Sequence, residues 1–412
     1  MRRWFSGDER TLAVFLVGGV LTMAFFRLDL LRTKLGITDE PGMLLLVVTA
    51  LAWWSLLPRS FVWLDPADLT WRDFGGVDRV ALIGRRLTTG WLVRLLALGY
   101  VLALFAALAA APWVWITAGA AVLVGAGVLA LAVVRRPRTA PTAEALTVLA
   151  LAVVVPAPPA LFAVGAVLAL AGIALIRPGP PPVADVGRPG LVDGWRERVL
   201  RVSGVQFLDL ALLLPPARPT RAGPLTGGVR LAVLGVAGRV RHVPTAALLG
   251  IAAVATHRAF PALPEIVVFG IFGYLALVPL TAGLGELWRS PGRRRWVGAS
   301  DTALRWHHFV VATLLAVVWG VPVWLLGGWD PNVLVAAPVL AACAVRTMTR
   351  KTPTYDNLVP VDTPMGTMPV RLIMQTLRGP DLGLLAWVLT FGLPPWGVAL
   401  VAGAAVSLAL FR

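Results

Sequence analysis

The feature that most limits what this chain can fold into is a succession of apolar stretches that runs from end to end and leaves charge almost entirely between them. Apolar residues make up 58% of the chain and charged residues 14%, a balance that a soluble core with a polar surface does not reach. The chain therefore reads as an integral membrane protein. A span needs about 20 mostly apolar residues, because a helix rising about 1.5 Å per residue must cross a hydrocarbon layer roughly 30 Å thick. Twelve stretches approach this length: 11–26, 43–63, 90–111, 113–134, 144–156 and 158–177, then 243–258, 262–285, 305–328, 332–348, 383–393 and 395–411. The expected fold is all-α, a polytopic bundle of about 12 spans.

The spans fall into two six-span halves, 1–177 and 243–412, joined by a linker with interfacial helices at 178–242. Both halves end in a pair of stretches broken by proline: Pro156, Pro158 and Pro159 in the first, Pro394 and Pro395 in the second. Proline removes an amide donor and clashes with the preceding turn, so each pair is either a hairpin of two spans or one broken, partly re-entrant element. In both halves a charged segment follows the second stretch, with Asp78 and Asp301 in matching places.

Basic residues set the orientation. With the amino terminus in the cytoplasm, the external loops contain only Arg27, Arg32, Lys34 and Arg258 of the 37 lysines and arginines. That asymmetry is the positive-inside rule, and the expectation is a multi-pass protein of the plasma (inner) membrane with both termini cytoplasmic. The formal net charge of +16 then reflects basic loops facing anionic headgroups, with membrane lipids as partners and no nucleic acid. Phe25, Phe26 and Arg27 stand where a signal cleavage site would follow the first apolar run, so that run reads as a retained span. Cys343 is the only cysteine, and no intrachain disulfide can form.

The polar segments carry the functional information. In 64–89, Val77, Val80, Ala81 and Leu87 recur at helical spacing, with Asp78, Arg79, Arg85 and Arg86 largely on the other side, a pattern for a short helix on the membrane surface. Segment 286–306 repeats the theme: Pro291 and Gly292 form a turn, Arg293, Arg294 and Arg295 a basic knot, and Ser300 or Asp301 caps the helix of the next span. The linker opens with a Pro- and Gly-rich run. Next comes a helix opposing Trp195, Val199 and Val202 to Arg196, Arg198 and Arg201, and a second near 206–214. In 346–382, which holds prolines at 353, 360, 364, 369 and 380, the first four forbid a long helix before Val370. This segment either contacts a partner or packs under the bundle.

Several chemistries lack their residues. A phosphate-binding P-loop needs a lysine after a glycine-rich turn, and the two lysines, Lys34 and Lys351, follow Thr33 and Arg350. Glu144, Glu265 and Glu286 map to span ends, with no carboxylate in mid-span, which disfavours an ion-driven carrier. His307 and His308 are adjacent and diverge by about 100° on a helix, a poor metal pair. Asp193-Gly194 begins like a phosphoalcohol-transferase signature, but the Ala-Arg that should follow is missing. No catalytic or metal-binding residues are assigned.

Two halves, each with an interfacial helix, a charged cytoplasmic helix between its second and third spans and a broken final hairpin, resemble the permease subunit of type-2 ABC exporters, fused in tandem. The loop motif Asp362, Thr363, Pro364, Met365 and Gly366 after Val361, with Leu377 to Leu382 beyond it, is similar to permeases of actinobacterial type. The resemblance implies a transport subunit rather than an enzyme. It binds no cofactor itself; ATP and Mg sit on a separate cytoplasmic ABC ATPase present as two copies. Coupling to that ATPase falls on Asp68, Arg72, Asp78, Arg79, Arg85 and Arg86 in the first half, and on Glu286, Arg289, Arg293, Arg294, Arg295 and Asp301 in the second. The alternatives are a gradient-driven efflux carrier and a membrane-embedded lipid transferase. A pore lined by Leu, Val, Ala, Phe and Trp suits an amphipathic or hydrophobic substrate, and no substrate-binding residue is assigned.

Overall fold

The computed structural model describes residues 19, 22–23, 25–36, 63–75, 79–134, 157–175, 188–206, 227–350, 361–363, 366–368, 377–389 and 393–411. Fourteen helices account for most of them: α1 (Leu28–Leu35), α2 (Pro66–Phe74), α3 (Arg79–Leu108), α4 (Trp113–Val134), α5 (Pro158–Leu175), α6 (Arg188–Gln206), α7 (Gly228–Ala237), α8 (Val243–Ala259), α9 (Glu265–Trp288), α10 (Pro291–Val297), α11 (Asp301–Gly327), α12 (Ala336–Met348), α13 (Pro380–Leu389) and α14 (Pro395–Phe411). Among the described residues four helical segments are long and apolar enough to cross a membrane: α5, α9, α11 and Pro331–Met348, in which a 3-10 turn leads into α12. The chain is a helical membrane protein. Of the expected stretches, 43–63 and 144–156 lie outside the described residues almost entirely, as does most of 11–26.

The fold is all-helical as expected apart from one small ladder in a loop, where Val361–Thr363 pairs antiparallel with Gly366–Met368, Val361 opposite Met368 and Thr363 opposite Gly366; two local readings change. Prolines at 360, 364 and 369 exclude helix there, and the extended pieces between them form a ladder instead. Next, the surface helix expected around 77–87 is the opening of α3, which runs 30 residues without interruption. No proline stands between Arg79 and Leu108, and isolated glycines weaken a helix without ending it. Finally, Pro291 and Gly292 are not a turn but the first residues of α10, since proline fits the first helical position, where its missing N–H is not needed. At the carboxy-terminal pair the expected break is present: α13 ends at Leu389 and α14 starts at Pro395.

The described elements form two compact units. The first holds α1, α3, α4, α5 and the segment Ala255–Leu263. Its centre is the α4–α5 contact, where glycine replaces side chains. A Cβ on Gly165 would lie 2.8 Å from the Ala121 carbonyl, and one on Gly172 2.7 Å from the Leu129 amide. Such close approach gives helices in lipid the dispersion contacts that hold them, since apolar burial alone supplies no drive there. Leu98, Leu102, Val122, Leu129, Leu161 and Leu168 fill the rest of this core.

In the second unit α12 is the most enclosed helix, buried from Val339 through Val345. Its neighbours α9, α11, α13 and α14 wrap it. A hydroxyl chain threads this core: Tyr274 Oη and Thr347 Oγ1 are 2.9 Å apart, and Thr347 donates to the Cys343 carbonyl at 2.8 Å. Buried hydroxyls in lipid need such internal partners, and Tyr274 and Thr347 each have one.

Candidate functional site

The residues singled out from sequence in the second half converge on the α9–α10–α11 turn. Helix α9 closes with Glu286 and Trp288, and its C-cap Arg289 is exposed. Positive charge here suits the negative end of the helix dipole. Glu286, partly exposed, accepts from Arg239 Nη2 at 2.5 Å. Arg239 is only 2% exposed, so this carboxylate answers a buried charge and is a brace.

Trp288 is held between two guanidinium groups, Arg294 at 4.5 Å and Arg305 at 4.8 Å from its ring centroid. Arg294 also reaches Asp301 at 3.3 Å, and Arg305 donates to the Leu410 carbonyl at 3.3 Å. Ser300 Oγ accepts from the Ala303 amide at 3.2 Å, so Ser300 rather than Asp301 caps α11. Gly298 ends α10 at φ 68°, a left-handed conformation that costs glycine little. Together these contacts set a two-turn helix rigidly between two long apolar ones. Arg293, Arg295 and Trp296 are left pointing away, with Trp296 93% exposed.

The first-half residues divide differently. Asp68 is exposed in the first turn of α2, and Arg72 lies on the same helix. Arg79, Arg85 and Arg86 lie in the opening turns of α3 instead, and Asp78 falls outside the described residues. Helix α2 begins with Asp65 Oδ1 accepting from the Ala67 amide at 2.9 Å. It rests on α6 through the Leu64 amide to the Leu191 carbonyl (3.3 Å), Arg188 to Thr70 Oγ1 (2.8 Å) and Arg198 over the Trp63 ring (4.5 Å). Trp71 projects from it, 78% exposed.

Sequence reasoning missed the likeness of α2 and α10. Each starts at a proline, Pro66 or Pro291, and carries a bare tryptophan five residues on, Trp71 or Trp296. A Pro-x4-Trp pattern next to a span was the available signal.

Of the loop motif, Asp362, Thr363 and Gly366 belong to the hairpin strands, and Pro364 and Met365 lie outside the described residues. The Leu377–Leu382 stretch is a joint within the bundle. Asp381 accepts from the Gly379 and Leu382 amides at 2.6 and 2.8 Å and from Arg346 at 3.0 Å. Gly379, at φ 123°, leaves no room for a Cβ beside Thr347 Oγ1. The carboxylate thus caps α13 and pins it to the end of α12, so this part packs under the bundle.

His307 lies against Gly228, and His308 Nδ1 sits 2.8 Å from the Leu304 carbonyl. Among the described residues no group of three His, Cys, Asp or Glu side chains comes together. His242, in the turn after α7, has its pKa pushed below the usual histidine value, first by burial and then by the charges of Arg241 and Arg239. No known protein family, no curated protein and no solved structure matches this chain.

Proposed function

We propose that this chain is the membrane permease subunit of an ATP-driven exporter of the type-2 ABC class. It carries an amphipathic or hydrophobic substrate, a lipid, peptide or drug-like metabolite, by alternating access. On this reading its 12 spans form two halves in the plasma membrane, both termini are cytoplasmic, and two copies of a separate cytoplasmic ATPase hold the ATP and Mg. The absence of a P-loop lysine from the sequence is consistent with an engine on another chain.

The observation that carries the proposal is α10: a short helix between two long apolar ones, braced from behind by Arg294, Asp301 and Trp288, with Arg293, Arg295 and Trp296 turned outward. A rigid knob at this place transmits a push on its outer face to both neighbouring helices, which is what rigid-body alternating access requires. Exposed arginines on its rim steer an acidic partner surface and set the salt dependence of docking. Helix α2, with Asp68, Arg72 and Trp71, is the matching element of the first half.

Purification of the tagged chain in mild detergent, with mass spectrometry of its companions, tests the reading. A P-loop ATPase at about two copies per chain is expected. Recovery of the chain alone, with substrate efflux that an uncoupler collapses at constant ATP, contradicts it and points to a gradient-driven carrier.

A further inference from the structure

We infer that α10 lies in the anionic headgroup layer of the membrane when no partner covers it, with Trp296 as its anchor and Arg293 and Arg295 on lipid phosphates. Exposed apolar residues of α11 recur on one side as Trp306, Val310, Leu314, Val317, Val318 and Leu325. Tryptophan at the end of such a stripe marks the boundary between hydrocarbon and headgroups. From Trp306 back to the Ser300 cap is six residues, about 9 Å at 1.5 Å each. The headgroup layer is about 5–8 Å thick on each side, so the Ser300 cap stands about at its outer edge, where Gly298 and Ala299 join α10 to it.

The side chains suit that depth. Around a helix Arg294 stands about 160° from Trp296, and it is the arginine turned inward to Asp301 and Trp288. Arg293 and Arg295 flank Trp296 at about 60° and 100°, and all three are exposed. An indole with two outward guanidinium groups is the composition of an interfacial anchor that prefers phosphatidylglycerol or phosphatidylserine to a neutral lipid. The proposal rests on the function proposed above only for its consequence: an acidic ATPase surface must displace anionic lipid from the same arginines, so headgroup charge tunes docking.

Because Cys343 is the only cysteine, a single label can be placed by Gly292→Cys in a Cys343→Ala chain, at an exposed position about 40° round the helix from Trp296, which is kept. The environment-sensitive label is read in nanodiscs of phosphatidylcholine and in nanodiscs with phosphatidylglycerol added, using neutral acrylamide as the aqueous quencher. Shielding of the label should be greater in the anionic discs. That preference should fall about fivefold for each of Arg293→Gln and Arg295→Gln, and should fade at high salt. Equal shielding in the two lipids overturns the inference, as does a label open to acrylamide in both, which would leave α10 free for a protein alone. No ATPase enters this measurement, so its outcome is independent of whether one is found.

Discussion

The α4–α5 contact and the α9–α12–α13 core solve the same problem, holding helices together in lipid, by opposite means. In the first, backbones touch at Gly125, Gly165 and Gly172, and no ionisable group takes part. In the second, hydroxyls and ion pairs bridge the helices: Tyr274 to Thr347, Arg346 to Asp381 and Arg239 to Glu286. Glycine contacts fix distance and fail by clash. Polar bridges fix register and end position, and they fail by leaving a partner unpaired. Of these bridges the Arg239–Glu286 pair lies near the start of α10, and Glu286 links that turn to the segment after α7.

This contrast is open to tests of decreasing size, each read as thermal stability in detergent. Gly165→Leu should be the most damaging, since the Ala121 backbone cannot move aside; a loss of about 3 kcal/mol or more, or failure to yield folded protein, is expected. Tolerance of leucine there would mean the helices are not held by close approach. Glu286→Gln leaves Arg239 buried without its counter-charge. Because Glu286 is itself partly exposed, the lower end of the usual range, about 2–3 kcal/mol, is expected. Tyr274→Phe removes one bridge while Thr347 keeps its bond to Cys343, and should cost about 1 kcal/mol.

The smallest effect is a pH dependence from His242. Its pKa is lowered in the fold, so the unfolded chain takes up the proton first. Its contribution is therefore fully present above about pH 6.5, the unfolded value, and is lost as pH falls from there toward the lowered folded value. His242→Gln should flatten that part of the stability curve, and an unchanged slope would remove histidine as its source.

What sequence made legible was what depends on local pattern. Apolar length located α5, α9, α11 and α12, and the prolines at 394 and 395 located the break before α14. The Ser300 cap was readable for the same reason, one side chain serving an amide three residues on. The fusion of 79–89 into α3 was missed because charge pattern was weighed above the lack of any breaker. The hairpin at 361–368 was missed because its strands are three residues each, too short for alternation to register. The pairing of Glu286 with Arg239 and of Asp301 with Arg294 was not readable from sequence. Arg239 is 47 residues from Glu286, and only tertiary packing brings the two together.

Under the proposed function, α10 is the surface that the ATPase grips. The most direct measurement compares ATPase recovery from the tagged wild-type chain and from Arg293→Glu/Arg295→Glu, purified side by side in the same detergent. Both side chains are exposed and outside the Arg294–Asp301 brace, so the variant should fold normally. A P-loop ATPase recovered with the wild type and reduced or lost with the charge-reversed chain is the predicted result. Equal recovery with both, or no ATPase with either, would contradict it.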